Sequence, residues 1–413
     1  MSIAALPDET SRLLGSSPAI SSPTTLVKEL LENAIDADAT SVDVLVSDNT
    51  VDRIEVRDNG HGIHPDDFDA LGRRAHTSKL RGYEELKEGR ITTLGFRGEA
   101  LAAANTVGAV CITTRTDRDV VGTVLSLHPG IGGPSSRSKA PSPAGTTVLV
   151  TGLFSQLPVR RQVAMKEAPL AFSKIKRLLH SYALAKPHLK LSLKIAKHAK
   201  PPWSYSPRPG AQLREAVLQI FGADLASQCQ ERTASSGDRD TPNHLVIEAY
   251  LPKPGSDPTK ISHGAFVSVD SRPLCSTIGI AKKLVSIYRR QLSASASAAG
   301  SQQVKDPFIV VNVKSAAGSY DPNVESSKND VLFAEQAVLL RLFETLCKDI
   351  YGQAREHREG ATSASPPEEQ ATRPVSNILP GAATLGEHAV CSVPSSEEET
   401  VTLRRDAVGP AVD

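Results

Sequence analysis

A polar stripe on one predicted helix carries residue types that suit the hydrolysis of a phosphoanhydride. Apolar residues recur at helical spacing through Lys28–Ala37, which leaves Glu29, Glu32, Asn33 and Asp36 on the opposite face. Glu29 and Asn33 are four residues apart, so a carboxylate and an amide oxygen project from adjacent turns. An anionic base beside a hard, neutral oxygen ligand is what Mg²⁺-dependent hydrolysis requires. The alternative is a polar face that contacts only solvent.

A Gly-rich turn with one acid follows two predicted strands. Asp58 lies where the second strand ends, and Gly60 and Gly62 follow it. A short acid flanked by glycines lets backbone approach a flat ring, which suits recognition of the amino edge of a purine. For Asp-Asn-Gly alone, an ordinary turn is the better interpretation. The neighbouring polar helix shifts the balance toward a nucleotide site.

A third segment predicts an anion site. Thr77, Ser78 and Lys79 precede the run Leu94–Leu101, in which glycines lead into a helical pattern. Backbone N–H groups at a helix start after a Gly-rich loop bind phosphates. The chain contains no Gly-x-x-x-x-Gly-Lys-Ser/Thr sequence, which excludes the common P-loop.

Together these segments resemble the ATPase motifs of the MutL mismatch-repair family, which shares a superfamily with gyrase, Hsp90 and histidine kinases. The sequence Gly-Phe-Arg-Gly-Glu-Ala-Leu is close to diagnostic of MutL. The resemblance covers about the first 350 residues, and its last motif is most similar to the eukaryotic post-meiotic-segregation branch. Further matching motifs are Gly145–Val148, Leu153–Phe154, Pro158–Arg160, Phe266–Pro273 and Tyr320–Val324 followed by Lys328.

The resemblance implies an α+β fold in three parts. Residues 1–205 would form a Bergerat-type two-layer α/β sandwich ATPase domain, and residues 211–352 a ribosomal-S5-like α/β domain, the MutL transducer domain. The Pro-rich stretch 201–210 marks the boundary between them. Residues 353–413 lack apolar periodicity and predict a disordered tail. The Ser-Ala repeats at Ser293–Ala299 predict a loose surface loop.

The resemblance also implies ATP and Mg²⁺ as cofactors and assigns the catalytic roles. Glu29 would be the general base for the attacking water, and Asn33 would ligate Mg²⁺ between the phosphates. Lys328 would reach from the second domain to the γ-phosphate. A metal, loop amides and one mobile ammonium are the groups that stabilise a phosphoryl transition state. Taken without its loop, Lys328 would be interpreted as a solvated surface lysine.

The same resemblance implies the remaining nucleotide contacts. Asp58 would hold the adenine amino group, with Gly62 beneath the ring and Thr146 completing the base contacts through water. The residues implied for the lid and the phosphate loop are Thr77, Ser78, Lys79, Gly95, Phe96, Arg97, Gly98 and Glu99.

Composition is typical of an intracellular protein. The chain has 413 residues, 39% of them hydrophobic, and a net charge of +1. Its five cysteines are widely scattered without metal-ligand spacing, which favours a reducing compartment. No signal peptide or bilayer-spanning run is visible, so we expect no membrane partner. The resemblance implies a nuclear location.

One stretch of the chain is strongly basic. Between Arg160 and Arg214 there are thirteen Lys and Arg residues and a single acid, Glu167. Such a surface suits phosphate backbones, with sequence-independent and salt-sensitive binding of DNA. The alternative is a solvated helix face. The candidate DNA contacts are Arg160, Arg161 and Lys176.

The sequence departs from the family pattern at two places, and the first concerns the expected pairing of subunits. The family's Ile-Ala-Ala-Gly-Glu-Val segment, implied to clasp two subunits when ATP binds, corresponds here to Leu13–Ile20. Asp38 stands where the family often has Gly. The implied partners are a second MutL-type subunit in a heterodimer and a MutS-type mismatch-recognition complex. No endonuclease motif is present, so we expect a short family member or an incomplete chain.

The leading hypothesis is an ATP-binding and ATP-hydrolysing MutL-type mismatch-repair protein. Its nucleotide state would control lid closure, subunit pairing and DNA contact. The alternative is a non-hydrolysing, ATP-gated scaffold or a DNA-binding interaction module. Both share every binding motif, but a scaffold would tolerate loss of Glu29, so its presence favours hydrolysis.

Overall fold

An eight-stranded sheet organises the first part of the chain. The computed structural model describes residues 5–80, 82, 93–196, 201–237, 244–298, 303–325 and 328–352. The strand order is β5-β4-β3-β6-β2-β1-β7-β8, and every neighbouring pair is antiparallel except β1 and β7. The strands are β1 (Ser41–Val46), β2 (Arg53–Asp58), β3 (Ala109–Arg115), β4 (Gly122–Leu127), β5 (Pro134–Ala140), β6 (Gly145–Thr151), β7 (Lys190–Ile195) and β8 (Trp203–Tyr205).

Helices cover this sheet with an apolar core between. Alternate residues of β1, β2, β3 and β7 are buried in the same cluster as α2, α3 and α5. Helix α2 begins at Pro23, and the Ser22 hydroxyl accepts from the Thr25 N–H at 3.2 Å, which caps an otherwise unpaired donor. The helices are α1 (Asp8–Ala19), α2 (Pro23–Asp36), a 3₁₀ turn (Pro65–Ala70), α3 (Ala100–Val107), α4 (Pro158–Lys166) and α5 (Ala168–Ala185).

A five-stranded sheet organises the second part, in the order β12-β11-β13-β10-β9. One face packs against α8 and α9, while Phe266 and Phe308 on the other face join the core that contains α5 and α6. The elements are α6 (Leu213–Phe221), α7 (Ala223–Gln228), β9 (Cys229–Ser235), β10 (Leu245–Pro252), β11 (Ala265–Val269), β12 (Arg272–Leu274), α8 (Gly279–Ala298), β13 (Ile309–Ser315), β14 (Tyr320–Asp321), β15 (Leu332–Phe333) and α9 (Gln336–Tyr351).

The predicted α+β class is confirmed, and one local prediction is wrong. The Ser-Ala repeats were expected to form a loop, but α8 continues to Ala298. Ser295 is only 6% exposed, three residues beyond Leu292, so the inward face of the helix extends into the repeats. Alanine is also the best helix former. The tail predicted for 353–413 lies outside the described residues.

Seven non-glycine residues of the described part of the chain have a positive φ, and two of them, Asp38 and Ser271, stand in turns. Asp38, just after α2, has φ 58°, and Ser271, in the turn between β11 and β12, has φ 68°. In the motifs that the chain resembles, glycine stands at both positions. An L residue in this region costs about 1–2 kcal/mol. The turns therefore keep their geometry although the sequence has lost the residue that adopts it most readily.

We expect Ser271→Gly to raise the free energy of unfolding by about 0.5–1 kcal/mol, because relief of the left-handed strain outweighs the greater entropy of glycine in the unfolded chain. Urea unfolding followed by circular dichroism measures this. Ser204→Gly, in the extended strand β8, is the matched control and should lower stability instead. Equal signs for both variants would contradict the strain argument.

Candidate functional site

Helix α2 places three predicted functions one turn apart. Glu29, Asn33 and Ala37 follow each other at intervals of four residues, a span of about 12 Å along the axis. Glu29 is 8% exposed and Asn33 is half-buried. The carbonyl of Ala37 accepts from the His61 N–H at 3.0 Å, which joins the end of α2 to the Gly-rich turn. The predicted base and the predicted metal ligand thus lie on α2, and the predicted purine site lies next to the C-terminal end of this helix.

Asp58 is held by backbone at the end of β2. Its Oδ1 accepts from the N–H groups of Gly60 at 2.9 Å and Thr146 at 3.0 Å. Burial raises the pKa of Asp58, and these two hydrogen bonds offset part of the effect. Within the described residues, no donor is bonded to Oδ2. One oxygen fixes the side chain and the other can accept from a ligand.

The Gly-rich turn after Asp58 requires backbone segments to approach each other closely. Gly62 has φ 76°, and a Cβ there would lie 2.4 Å from the carbonyl oxygen of Arg115. A Cβ on Gly145 would lie 2.2 Å from the carbonyl oxygen of Asp58. Thr114 Oγ1 accepts from the Ile63 N–H at 2.9 Å and contacts Thr146 Oγ1 at 3.1 Å. The ends of β2, β3 and β6 therefore meet around Asp58.

Asp36 joins the predicted phosphate loop to α2 through hydrogen bonds. Its Oδ1 accepts from the Leu94 N–H at 2.8 Å, and its Oδ2 accepts from the Gly95 N–H at 2.9 Å and from Lys79 Nζ at 2.7 Å. Lys79 Nζ also donates to Asn33 Oδ1 at 2.7 Å. Lys79, predicted as part of the lid, thus contacts the side chain predicted to ligate the metal.

The rest of the loop reaches the second part of the chain. Phe96 is buried, and Arg97 lies over its ring at 5.7 Å. Arg97 Nη2 donates to Asn323 Oδ1 and to the Glu325 carbonyl, both at 2.7 Å. Glu99 precedes α3, whose first turn has no side-chain cap. The remaining predicted residues of this region are Thr77, whose Oγ1 accepts from the Lys79 N–H, the exposed Ser78, and Gly98, whose backbone abuts His76.

Lys328 enters the site from the loop after β14 and is buried. Its Nζ lies 2.8 Å from Glu29 Oε2 and 2.8 Å from Glu32 Oε2. The Tyr182 hydroxyl donates to Glu32 Oε1 at 2.8 Å. Lys28 Nζ donates to Asn329 Oδ1 at 2.8 Å. The predicted general base and the predicted phosphate lysine are therefore an ion pair.

The charges in this cluster hold each other ionised. Burial raises the pKa of the Glu32 carboxyl, but Lys328 and Lys28 outweigh it and the net pKa is lowered. Burial lowers the pKa of Lys328, but Glu32 and Glu29 outweigh it and the net pKa is raised. For Lys28, burial prevails and the pKa is lowered. Lys328 is thus the firmly charged cation of the cluster.

Arg272 makes a second link between the two sheets. It lies on β12, is 2% exposed, and donates to the carbonyls of Leu94 and Thr93, each at 3.0 Å. Asp36 of α2 and Arg272 of β12 therefore both bind the backbone of the predicted phosphate loop. Arg97 of the same loop binds Asn323.

The donor atoms fit Mg²⁺ held together with a nucleotide. Asn33 Oδ1 is a half-buried, neutral oxygen ligand. Among the described residues, no three His, Cys, Asp or Glu side chains are grouped to hold a metal. Mg²⁺ commonly takes one or two protein ligands and completes its shell with phosphates and water. The residues present match this mode rather than an all-protein cage.

The predicted DNA contacts lie on α4 and α5. Arg160 stands over the Phe154 ring at 5.5 Å. Arg161 pairs with Asp52 at 2.6 Å, so its charge is partly compensated within the fold. Lys176 is exposed. Of the three, Lys176 offers its charge to solvent most fully.

The chain is similar to known proteins over most of its length. Residues 20–128 match the family model described as histidine kinase-, DNA gyrase B- and HSP90-like ATPase. The chain is 32% identical to human PMS1 protein homolog 1 over 354 residues, which is 84% of this chain and 36% of that protein. It is 29% identical to the DNA mismatch repair protein MutL of Deinococcus radiodurans over 382 residues, 92% of this chain and 64% of that protein. The chain is a homologue of MutL-family proteins.

The fold of this MutL homologue is shared with a crystallised N-terminal domain of a DNA repair protein. The TM-score is 0.67 at 24% identity, covering 83% of this chain and 98% of that one. The chain spans little more than a third of the length of its human relative. Among the described residues, none of the helices combines the length and apolar character needed to cross a bilayer.

Sequence reasoning on this MutL homologue gave no role to four site residues, Glu32, Asp36, Tyr182 and Arg272. The first two belong to the predicted polar stripe, so their type and spacing were a usable signal. Tyr182 lies on the apolar periodicity of α5, and its partner is 150 residues away. Arg272 was part of a matching motif, but its target loop could not be read from the sequence.

We expect Lys328→Met to lower the free energy of unfolding of this MutL homologue by about 3–5 kcal/mol at pH 7, because two buried carboxylates lose their cation. In the wild type, the contribution of Glu32, whose folded pKa is lowered, is present above the unfolded pKa and is lost only as pH falls through the folded pKa. In the variant Lys328 no longer opposes the effect of burial, which raises the pKa of this carboxyl, so acid neutralises the uncompensated charge. The penalty should therefore shrink in acid.

Urea unfolding of wild type and variant at pH 7 and at about pH 4 measures this. Lys314→Met, which removes the exposed ion pair with Glu248, is the control and should cost about 0–1 kcal/mol. A Lys328→Met penalty that is the same at both pH values would contradict the ion-pair account.

Proposed function

We propose that this chain binds MgATP along α2 and hydrolyses it, as the ATPase part of a MutL-type DNA mismatch-repair protein. The observation that carries the proposal is the arrangement on one helix. Glu29 and Asn33 lie on adjacent turns, Lys328 contacts Glu29 from the loop between β14 and β15, and the end of the helix joins the turn that follows Asp58. The match to an ATPase family model over residues 20–128 supports it.

Each group has a distinct task in this proposal. Asp58 Oδ2 accepts from the amino group of adenine, since Oδ1 is already engaged by two backbone N–H groups. Asn33 would hold Mg²⁺, which would supply charge neutralisation for the phosphates. Glu29 takes the proton of the attacking water. The N–H groups in the first turn of α3, which no side chain caps, would donate hydrogen bonds to the phosphates.

The nucleotide also controls contacts between parts of the protein in this proposal. The lid spans Thr77–Gly98, of which residues 81 and 83–92 lie outside the described part. Arg272 already connects its described end to the second sheet, and Arg97 connects it to the loop after β14. Binding of phosphate to the loop would therefore be transmitted directly to Asn323 and β12.

The wider biology is carried by the relatives. Proteins named PMS1 protein homolog 1 and MutL match most of this chain. We accordingly propose a nuclear location, pairing with a second MutL-type subunit in a heterodimer, action beside a MutS-type mismatch-recognition complex, and sequence-independent contact with DNA. Helix α1 contains most of the segment Leu13–Ile20, which departs from the family pattern. The Ser16 hydroxyl of this helix accepts from Arg74 Nη2 at 2.9 Å, so we propose that subunit pairing differs from the family's mode.

A non-hydrolysing, ATP-gated scaffold is the second candidate. One observation favours it: Glu29 Oε2 already accepts from Lys328 Nζ at 2.8 Å, so this oxygen is occupied before a water can bind to it. Hydrolysis then requires Lys328 to leave Glu29, whereas gating requires only that ATP bind.

We expect Glu29→Ala to retain MgATP binding and to lower turnover by about 10²–10⁴-fold, because only the base for water is removed. Asn33→Ala should instead weaken MgATP binding, because the metal loses its protein ligand. Equilibrium binding of a fluorescent ATP analogue and phosphate release measure the two effects. Glu55→Ala, on β2 outside the site, is the control. Wild-type turnover in Glu29→Ala would exclude Glu29 as the general base, and MgATP binding without turnover in the wild-type chain would favour the scaffold.

We expect the chain to bind duplex DNA of any sequence, with an affinity that falls steeply as salt rises because condensed counterions are released. Reversing Lys174 and Lys176, both exposed on α5, to Glu should weaken binding and flatten the salt dependence. These two are preferred to Arg161, whose reversal would also break the pair with Asp52. Fluorescence anisotropy at several salt concentrations measures this.

The matched control reverses Lys260 and Lys282, two exposed lysines of the second part of the chain. It changes net charge by the same amount at a different place. If both double variants lose the same affinity, the basic stretch is only a solvated surface and the DNA assignment fails. ATP affinity should be the same in both variants.

A further inference from the structure

Two carboxylates share the ammonium of Lys328, and they are held differently. Glu32 is fully buried, and its second oxygen accepts from the equally buried Tyr182 hydroxyl at 2.8 Å. Lys28 Nζ lies 3.9 Å from that same oxygen. Glu29 keeps 10% of its side-chain exposure, and within the described residues its carboxylate is bonded to Lys328 alone.

This difference makes one partner fixed and the other exchangeable. A Glu32 carboxylate without Lys328 would be a buried charge that has lost its nearest cation and keeps only weaker compensation from Lys28, at 3.9 Å, and Arg272, and such charges are costly. Glu29 borders solvent, so water can replace the ammonium there. If Lys328 moves a short distance, it can leave Glu29 at little cost while it keeps Glu32.

We propose that Glu32 is a positioning residue, which retains Lys328 while its ammonium exchanges Glu29 for the terminal phosphate of ATP. This inference rests on the proposed function. In the reaction, the water oxygen bonds to the γ-phosphorus as its proton passes to Glu29, and the bond from phosphorus to the β–γ bridging oxygen breaks with its electron pair going to ADP. Glu32 stays ionised throughout and touches neither water nor phosphate.

The charge of Glu32 is therefore expected to matter for turnover rather than for binding. Glu32→Gln keeps the size of the side chain, and its amide oxygen can still accept from Tyr182. Lys328 then has Glu29 as its sole carboxylate partner and releases it less readily. We expect kcat to fall about 10–100-fold, the range that a charged hydrogen bond commands. KM for ATP should not rise, because the pocket has lost a negative charge.

The test is steady-state ATP hydrolysis by the full chain in wild type, Glu32→Gln, Lys328→Met and the double variant. If Glu32 acts through Lys328, the double variant should be no slower than Lys328→Met. Glu248→Gln is the matched control: it removes a Glu–Lys ion pair with Lys314 between β10 and β13 and should leave kcat and KM unchanged.

Tyr182→Phe guards against misfolding of Glu32→Gln, which thermal unfolding would reveal. It keeps the charge of Glu32 but removes the hydroxyl behind it, and kcat should fall less, again without a rise in KM. Multiplying losses in the double variant, or wild-type kcat in both Glu32→Gln and Tyr182→Phe, would overturn the inference. If Glu29→Ala still turns over normally, the proposed function fails; if Glu29→Ala is inactive and Glu32→Gln is normal, only the role of Glu32 fails.

Discussion

Burial of one lysine between two carboxylates is the constraint on which the arrangement of this protein depends. Lys328 and Glu29 are 299 residues apart in sequence, yet their side chains meet at 2.8 Å in a buried cluster. Lys28, Lys328, Glu29 and Glu32 sum to zero charge, and this balance makes their burial tolerable. Displacement of the second sheet would break that balance, so the cluster specifies how the lysine loop sits on α2.

The same logic extends from the cluster to the phosphate loop. Arg272 donates to carbonyl groups of this loop, and Asp36 accepts from its N–H groups. Arg97 of the loop then donates a hydrogen bond to Asn323, which lies a few residues before Lys328. The candidate site is therefore not contained in either sheet. It exists where charged side chains of the second part of the chain meet the glycines and the helix of the first.

The positions of Glu29, Asn33 and Asp58 on their helix and strand could be predicted from the sequence, because the geometry that places them is local. Glu29 and Asn33 are four residues apart on one helix, and periodicity alone puts them on the same face. Asp58 sits at a strand end that alternation also predicts. In each case the decisive geometry spans less than two turns or one hairpin, so the residues and their spacing contain it.

What the sequence could not show depends on distant partners. A polar stripe on a helix has the same spacing whether it faces water or, as here, Lys328 and Tyr182. Arg161 was predicted as a DNA contact from local charge, but Asp52 is 109 residues away and changes its environment. The Ser-Ala segment was misjudged for the same reason, since only the core under α8 explains why Ser295 is buried.

Two lysines are bonded to the proposed general base, Glu29, and to the proposed metal ligand, Asn33. Lys328 pairs with Glu29, and Lys79 with Asn33 and Asp36. If ATP and Mg²⁺ bind as proposed, phosphate oxygens take over the ammonium groups, and the metal takes the amide oxygen from Lys79. Ligand entry is then an exchange of partners among charges already paired, rather than the neutralisation of bare ones. Such an exchange has a small net electrostatic driving force, because each ion pair formed replaces one that was broken. The affinity for nucleotide would then come largely from the base and from the metal, and the phosphates would serve mainly to move the two lysines.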